Sequence, residues 1–338
     1  MVGHLNPNED GLMTESMVGV DVAKATFDVA APLEPKGKYR TKAKLPNTPA
    51  GFTLLSDWLD RHVPGAAVCM EATGVYHEAL ATFLVERGVT VYVANPAQVA
   101  AYAKSELSRT KTDHADAKLI ARFAMAQLQV GTTLRPWVPP TPAQRKLRAL
   151  IHRLNDLEGM RQMERNRLDV SDQAVRGSIA DVMETLDAQI AELKKEIDNH
   201  IDSDPDLRRD AGLLTSIPGI GELTAAFMLG CAGDLRRFDD PRKLDAFAGM
   251  NPAIRESGKW VGQSRLSKLG HALLRAKLYM PAMTAIRHNV AVRALFDRLV
   301  ARGKPRKLAL GAAMRKLLHL AWGVIRSGKN FDPSIALA

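Results

Sequence analysis

The sequence predicts an α/β N-terminal domain, a helical connector and a mostly helical C-terminal domain. Three observations lead to that class. Strand-type and helix-type patterns alternate over the first ~130 residues. Prolines cluster at Pro136, Pro139, Pro140 and Pro142, and the chain beyond them carries helical spacing.

Residues 17–22 form a short apolar run around Asp21, and residues 25–30 continue as β-type sequence. Residues 38–45 alternate loosely, as an edge strand does. A helix opens at Thr48 or Pro49, with Phe52, Leu55, Trp58 and Leu59 on one side. Residues 66–70 read as a buried strand leading into Glu71. A helix over 76–87 ends at Gly88, residues 89–94 return to strand, and two helices follow Asn95-Pro96 as far as Leu128.

The proline cluster reads as a linker. Beyond it, Leu147, Leu150, Leu154 and Leu157 recur at helical spacing, and so do Ile179, Met183, Leu186, Ile190, Leu193, Ile197 and Ile201. This heptad-like seam, interrupted near Gly177-Ser178, predicts a helical hairpin or coiled coil over 141–202. A narrow apolar stripe needs a partner helix, in the same chain or in another protomer. Asp204-Pro205 ends the region. The expected organisation is a disordered leader (1–16), an α/β domain (17–135), a linker with coiled coil (136–205) and a basic helical domain (206–338).

Composition limits the partners. Of 338 residues, 46% are hydrophobic and 25% charged, which excludes wholesale disorder. No apolar run approaches the ~20 residues of a membrane span, and the start lacks the basic flank and apolar stretch of a signal peptide. Cys69 and Cys231 stand too far apart in sequence for a disulfide framework or a Cys-Cys zinc motif, which suits a reducing, cytoplasmic setting. Net charge is +10, unevenly placed: residues 1–140 sum to 0, residues 141–210 to −3 and residues 211–338 to +13. Lys304, Arg306, Lys307, Arg315 and Lys316 are its densest group. A field of that size over one domain suits a polyanion.

Four acids of the first domain have notable settings. Asp21 lies near the end of the first strand and Glu71 follows the strand over 66–70. Asp113 and Asp116 share a face of one helix. Acids converging from strand ends and a packed helix repel unless a divalent cation neutralises them, and oxygen ligands suit Mg²⁺ or Mn²⁺. A pair of such ions can position both the attacking and the leaving oxygen of a phosphodiester. The ordered acids on a β-β-β-α-β-α pattern predict a ribonuclease-H-like nuclease core. An actin-like or sugar-kinase ATPase would need a glycine-rich phosphate loop, and the residues after Glu71 provide one glycine, Gly74.

In the C-terminal domain, residues 216–225 form a glycine turn between helices, and Gly219 and Gly221 free backbone N–H groups for a phosphate. A polar glycine-rich stretch over 255–271 places Ser257, Ser264 and Ser267 among Arg255, Lys259, Arg265 and Lys268. Composition leaves the three serines equivalent. A helix is expected over 273–283, and Arg265, Lys268 and Arg275 are expected along the nucleic-acid path, with Lys259 beside them.

These residues resemble the Piv-like DEDD transposases of the insertion-sequence 110 family. The resemblance rests on Gly-Val-Asp-Val-Ala-Lys at 19–24, Glu-Ala-Thr-Gly at 71–74, Asn-Pro at 95–96 and Lys-Thr-Asp-x-x-Asp-Ala at 111–117. It continues through Ile-Pro-Gly-Ile-Gly at 217–221, Phe-Ala-Gly at 247–249, Ser-x-x-Gly-His at 267–271, Tyr-Met-Pro-Ala at 279–282 and Met-Arg-Lys-Leu at 314–317. It implies an RuvC-like (RNase H-like) domain, a coiled coil and a C-terminal transposase domain with a helix-hairpin-helix. It also implies Mg²⁺ on Asp21, Glu71, Asp113 and Asp116, and selects Ser257, in Glu256-Ser257-Gly258, as nucleophile.

The same resemblance implies donor and target DNA as substrates, a structured noncoding guide (bridge) RNA, and a dimer or tetramer in which the acid domain of one protomer meets the serine domain of another. The expected activity is RNA-guided DNA strand exchange through a phosphoserine linkage, in a prokaryotic cytoplasm at the nucleoid. Two alternatives stand beside it: a metal-dependent junction nuclease that uses water, and a non-catalytic nucleic-acid scaffold. Trp260 follows the serine closely and suits either base stacking or inward packing.

Overall fold

The computed structural model describes residues 16–33, 37–72, 74–106, 113–130, 134–253, 256–257, 260–261 and 265–337. The expected leader lies outside the described residues except for Ser16. The chain divides into two compact units, Met1–Pro139 and Pro140–Ala338.

The first unit is a five-stranded mixed sheet with helices on both faces. β1 (Met17–Val22), β2 (Thr26–Leu33) and β3 (Lys38–Pro46) are antiparallel neighbours, while β4 (Ala67–Glu71) and β5 (Val91–Ala94) run parallel to β1; the sheet order is β3-β2-β1-β4-β5. Strand alternation divides the core. Val18, Val20 and Val22 pack with Phe27, Val29 and Leu45 under α1 (Pro49–His62) and α2 (Glu78–Glu86). Met17, Ala67, Cys69 and Tyr92 face the other way, toward α3 (Pro96–Ser105) and α4 (Asp113–Gln129), and pack with Val99, Ile120, Phe123 and Ala124.

The approach of α4 to β1 is set by Gly19. A Cβ there would lie 2.1 Å from the Ala117 carbonyl oxygen and 2.5 Å from the Ala121 nitrogen, so the helix backbone rests directly on the strand. Met17 packs with Ile120, Phe123 and Ala124, whereas Gly19 lies under Ala117 and Ala121. The helix therefore runs antiparallel to β1, and its first turn reaches the strand's carboxyl end.

In the second unit, α5 (Pro142–Val170) and α6 (Gln173–Ser203) form an antiparallel hairpin, joined across it by Lys146–Glu196 and Arg161–Asp187 ion pairs. The break falls at Ser171-Asp172 and not near Gly177-Ser178. Ser171 is extended and Asp172 caps α6 by accepting from the Ala174 N–H, whereas a lone glycine inside a long helix is tolerated. Leu147, Ile151, Leu154, Leu157, Leu186, Ile190, Ile197 and Ile201 are buried in one core with the helices that follow.

Those helices are α7 (Pro205–Thr215), α8 (Glu222–Ala232), α9 (Pro241–Ala248), α10 (Ala272–Lys277), α11 (Tyr279–His288), α12 (Val290–Ala301), α13 (Arg306–Ser327) and the short α14 (Pro333–Leu337). The helix expected over 273–283 is two helices parted at Leu278. Pro281 has no N–H to offer the carbonyl of Lys277, so the ladder cannot run through. One further expectation is corrected. By length and hydropathy α13 does reach the span of a bilayer, and 56% of its most apolar stretch is buried inside the unit. Leu310, Leu317, Leu318 and Ile325 make it the core helix there.

Two glycines should respond oppositely to alanine. Gly19→Ala forces α4 off the sheet and should lower stability by about 2 kcal/mol, read from the denaturant midpoint. Gly177→Ala, whose added Cβ meets nothing within 4 Å, should raise stability by about 0.5–1 kcal/mol. A fall at 177 would show that the helix needs its glycine.

Candidate active site

Register brings two of the predicted acids side by side. Gly19 pairs with Cys69 and Val20 with Met70, so the next step along both strands sets Asp21 beside Glu71. Asp21 is two residues from Gly19 and Glu71 two from Cys69, so both point to the face that α4 covers. Asp116 precedes Ala117, the residue resting on Gly19, and lies in the first turn of α4, which begins at Asp113. Asp21, Glu71 and Asp116 therefore lie toward one end of the sheet.

Asp21, Glu71 and Asp116 are each partly buried; the side chain of Asp113 lies outside the described residues. Among the described residues, no group of three His, Cys, Asp or Glu side chains is close enough to hold an ion. An all-oxygen set of this kind suits a hard divalent cation.

Two nearby residues were not anticipated. Asp28, buried on β2, pairs directly with Asp21, and its Oδ1 accepts from the Lys44 N–H at 2.7 Å. Its signal was present in the alternation of residues 26–30, yet only strand pairing puts it opposite another acid. Asn47 donates through Nδ2 to the Ala23 carbonyl at 3.0 Å and to the Tyr76 carbonyl at 3.1 Å. It thereby joins the loop after Asp21 to the loop after Glu71. No pattern in the sequence marks it.

The serine region is a two-tier β arm. β6 (Pro252–Ala253) pairs with β9 (Arg265–Leu266), and further out β7 (Glu256–Ser257) pairs with β8 (Trp260–Val261). Ser257 pairs with Trp260, so the serine sits at the hairpin corner and the tryptophan directly across from it. The side chains of Ser257, Trp260 and Arg265 lie outside the described residues, as do Lys259 and Ser264 altogether.

The root of the arm is closed by backbone. Ser267 N–H donates to the Asn251 carbonyl, Lys268 N–H to Gly249 and His271 N–H to Phe247. Gly249 and Gly270 cross so closely that a Cβ on Gly270 would lie 2.5 Å from the Gly249 nitrogen. Arg275 donates to the Ala248 carbonyl at 2.8 Å, bracing the same turn. Lys268 is exposed and holds a left-handed φ of 58°, a conformation that costs a non-glycine residue about 1–2 kcal/mol.

The two glycines of the 217–221 turn differ. Gly219 has a φ of +107° and packs so tightly that a Cβ would lie 2.6 Å from the Cβ of Ala285 on α11. Gly221 is exposed at the start of α8, where no side chain caps the helix. The first-turn N–H groups of α8 are thus not taken by a capping side chain.

Residues 18–170 match a family model described as Transposase, of the DEDD type named for IS110. Residues 211–297 match one described as Transposase IS116/IS110/IS902 family. The chain is 32% identical over 330 residues to the pilin gene-inverting protein of Moraxella bovis, spanning 96% of this chain and 99% of that protein. It is 26% identical over 293 residues to the transposase for insertion sequence element IS1111A of Coxiella burnetii, spanning 80% and 78%. A probable family 20 transposase of Pseudomonas aeruginosa is 25% identical over 359 residues, spanning 95% and 100%.

His271 makes the root of the arm sensitive to acid. Its ring stacks on Phe247 with centroids 5.5 Å apart, and Nδ1 accepts from the Leu274 N–H, capping α10. Burial first, then His152, Arg237 and Arg275, hold this imidazole below its ordinary value. The unfolded chain therefore takes up the proton first as pH falls through about 6.5. The stability that depends on the neutral ring is complete above that pH and drains as pH falls toward the lower folded value. Asparagine can accept the same N–H without titrating. His271→Asn should leave stability at neutral pH within about 0.5 kcal/mol and flatten its decline in thermal melts toward pH ~5. An unchanged decline would place the acid sensitivity elsewhere.

Proposed function

The chain belongs to the IS116/IS110/IS902 family of transposases, and from that membership we propose an RNA-guided DNA recombinase that cuts and rejoins strands through Ser257. The observation that carries the reading is the pairing of two built features. Acids gather where β1, β4 and α4 meet, and a serine stands at the corner of a braced β arm.

On this reading the first unit is an RNase H-like, RuvC-like domain; the sheet order β3-β2-β1-β4-β5, antiparallel and then parallel, supports it. Asp21, Glu71, Asp113 and Asp116 would hold Mg²⁺ or Mn²⁺. Such ions, when bound, supply positive charge against the scissile phosphate and its leaving oxygen. Asn47 keeps the two acid-bearing loops in register, and Gly19 keeps α4 close.

Ser257 Oγ attacks phosphorus and loses its proton to solvent or a base. The P–O3′ bond breaks, the 3′ oxygen takes up a proton, and the 5′ phosphate remains on the serine. Attack by a 3′-hydroxyl from another strand reverses these steps, so the phosphodiester's free energy is kept rather than lost to water. The name of the Moraxella relative supports such rejoining, because inverting a gene requires cut ends to find new partners.

Nucleic acid would be gripped by the Gly219–Gly221 turn, Lys259, Arg265, Lys268 and Arg275. Arg275 also braces the Ala248 turn, and Gly219 also fits against Ala285. Guidance by a bridge RNA enters from the family resemblance. Assembly through a coiled coil is supported by the outer half of the α5–α6 hairpin, where Met160, Met163, Val175 and Val182 are exposed.

The test is covalent trapping. Incubated with cleavable DNA and Mg²⁺ and then denatured, the protein should carry a DNA adduct. Ser257→Ala should abolish it, and Asp21→Asn should slow cleavage by at least about a thousandfold. Cleavage without any adduct favours a water-using nuclease. An adduct surviving Ser257→Ala refutes the nucleophile, and recombination unaffected by Asp21→Asn favours a scaffold.

A further inference from the structure

The first unit has no net charge over residues 1–140, yet the fold sorts its cations. β3 is the edge strand of the sheet. Lys38 pairs with Leu33, Arg40 with Ala31 and Lys42 with Val29. Val29 and Ala31 belong to the core under α1, so the three cations stand on that same face, spread along ~13 Å of strand.

The last turn of α1 brings His62 to this row, 22 residues from Arg40 in sequence, with Arg61 beside it in the chain. Arg40 Nη1 lies 2.8 Å from His62 Nδ1, and the Trp58 ring meets the imidazole edge-on with centroids 5.5 Å apart. An imidazole that accepts from a guanidinium is neutral. Consistently, the titration of His62 is shifted down by desolvation first, then by Arg40, Arg61 and Lys42.

Lys38, Arg40 and Arg61 are exposed and Lys42 is partly so. None of the four forms an ion pair among the described residues, although Asp57 and Asp60 lie on the same helix. Like charges gathered on one face repel one another and cost stability unless a partner neutralises them. Lysines on an edge strand also deter strand-to-strand aggregation. That role does not call for Arg61 and His62 to join from a helix.

We propose that Lys38, Arg40, Lys42 and Arg61 form a docking strip for the phosphate backbone of duplex DNA. Two features favour a duplex backbone over single-stranded bases. Trp58 is buried, and Tyr39, the strand's own aromatic, faces away under the Lys118 ammonium. The strip therefore has no platform on which unpaired bases stack.

Through Val29, Lys42 is level with Val20, one residue before Asp21 and about 10 Å away across two strand spacings. The strip lies on the sheet face opposite the acids, so it holds flanking duplex without competing for the scissile phosphate. The inference rests on the reading of the chain as a DNA recombinase.

The test measures affinity of the full chain for a DNA duplex of about 25 base pairs, roughly two and a half helical turns, over ~50–200 mM salt without divalent ions. Lys38→Gln/Arg40→Gln/Lys42→Gln should weaken binding at least about tenfold and make the log–log salt slope shallower by about 2–3. Lys38→Arg/Lys42→Arg should leave the slope unchanged. Should the triple variant fail to fold, Arg61→Gln alone, on the helix surface, should lower the slope by about 1.

A wild-type slope in the triple variant overturns the proposal, and if that variant also self-associates, the strip is an edge guard. Loss of duplex RNA binding with DNA binding intact overturns the choice of DNA. No cleavage is read, so failure of the phosphoserine reading would leave these slopes untouched.

Discussion

The contact on which the site depends is the seating of α4 on Gly19. A helix normally stands off a sheet by the thickness of its side chains. Here the helix backbone touches the strand, with Ala117 and Ala121 as the small residues that permit it. The consequence is local: the first turn of α4 comes down to the end of β1, where Asp21 and Glu71 are already neighbours by register. Any side chain at position 19 lifts Asp113 and Asp116 away from that end.

The second unit uses the same device for a different purpose. Gly249 and Gly270 let two loops cross backbone to backbone, and three N–H···O=C bonds close the root of the serine arm. Just upstream, Asp245 is fully buried on α9 and its Oδ2 accepts from both Arg315 and His319 of α13. Removing one partner from such a buried cluster costs about 3–5 kcal/mol. The pairing anchors the turn that receives the arm to the core helix. Two of the motifs carrying the family resemblance, at 247–249 and 267–271, thus turn out to be the two halves of one junction.

Most regular elements were legible because their causes are local. The apolar runs of residues 17–22 and 66–70 and the proline at the start of α1 or α3 act within a few residues. The misreadings share a cause as well. Gly177 looked like a helix breaker, but burial of Leu186 and Ile190 outweighs the cost of one glycine, while Asp172 offers a real cap five residues earlier. In sequence the β arm around Ser257 is only a polar, glycine-rich stretch, since strands of two residues carry no periodicity.

By itself the sequence determined which chemical groups are present and in what order: four acids at strand ends and a helix start, three serines in a polar glycine-rich stretch, and a basic C-terminal domain. It also determined the family, because those motifs recur in the same order along nearly the whole chain. Tertiary structure alone decided what meets what. Asp28 faces Asp21, Asn47 ties two loops, and His62 of α1 meets Arg40 of β3 because strand pairing and helix packing bring together residues far apart in the chain. Periodicity reports the conformation of a segment, whereas neighbours across a sheet are set by register, which no single segment contains.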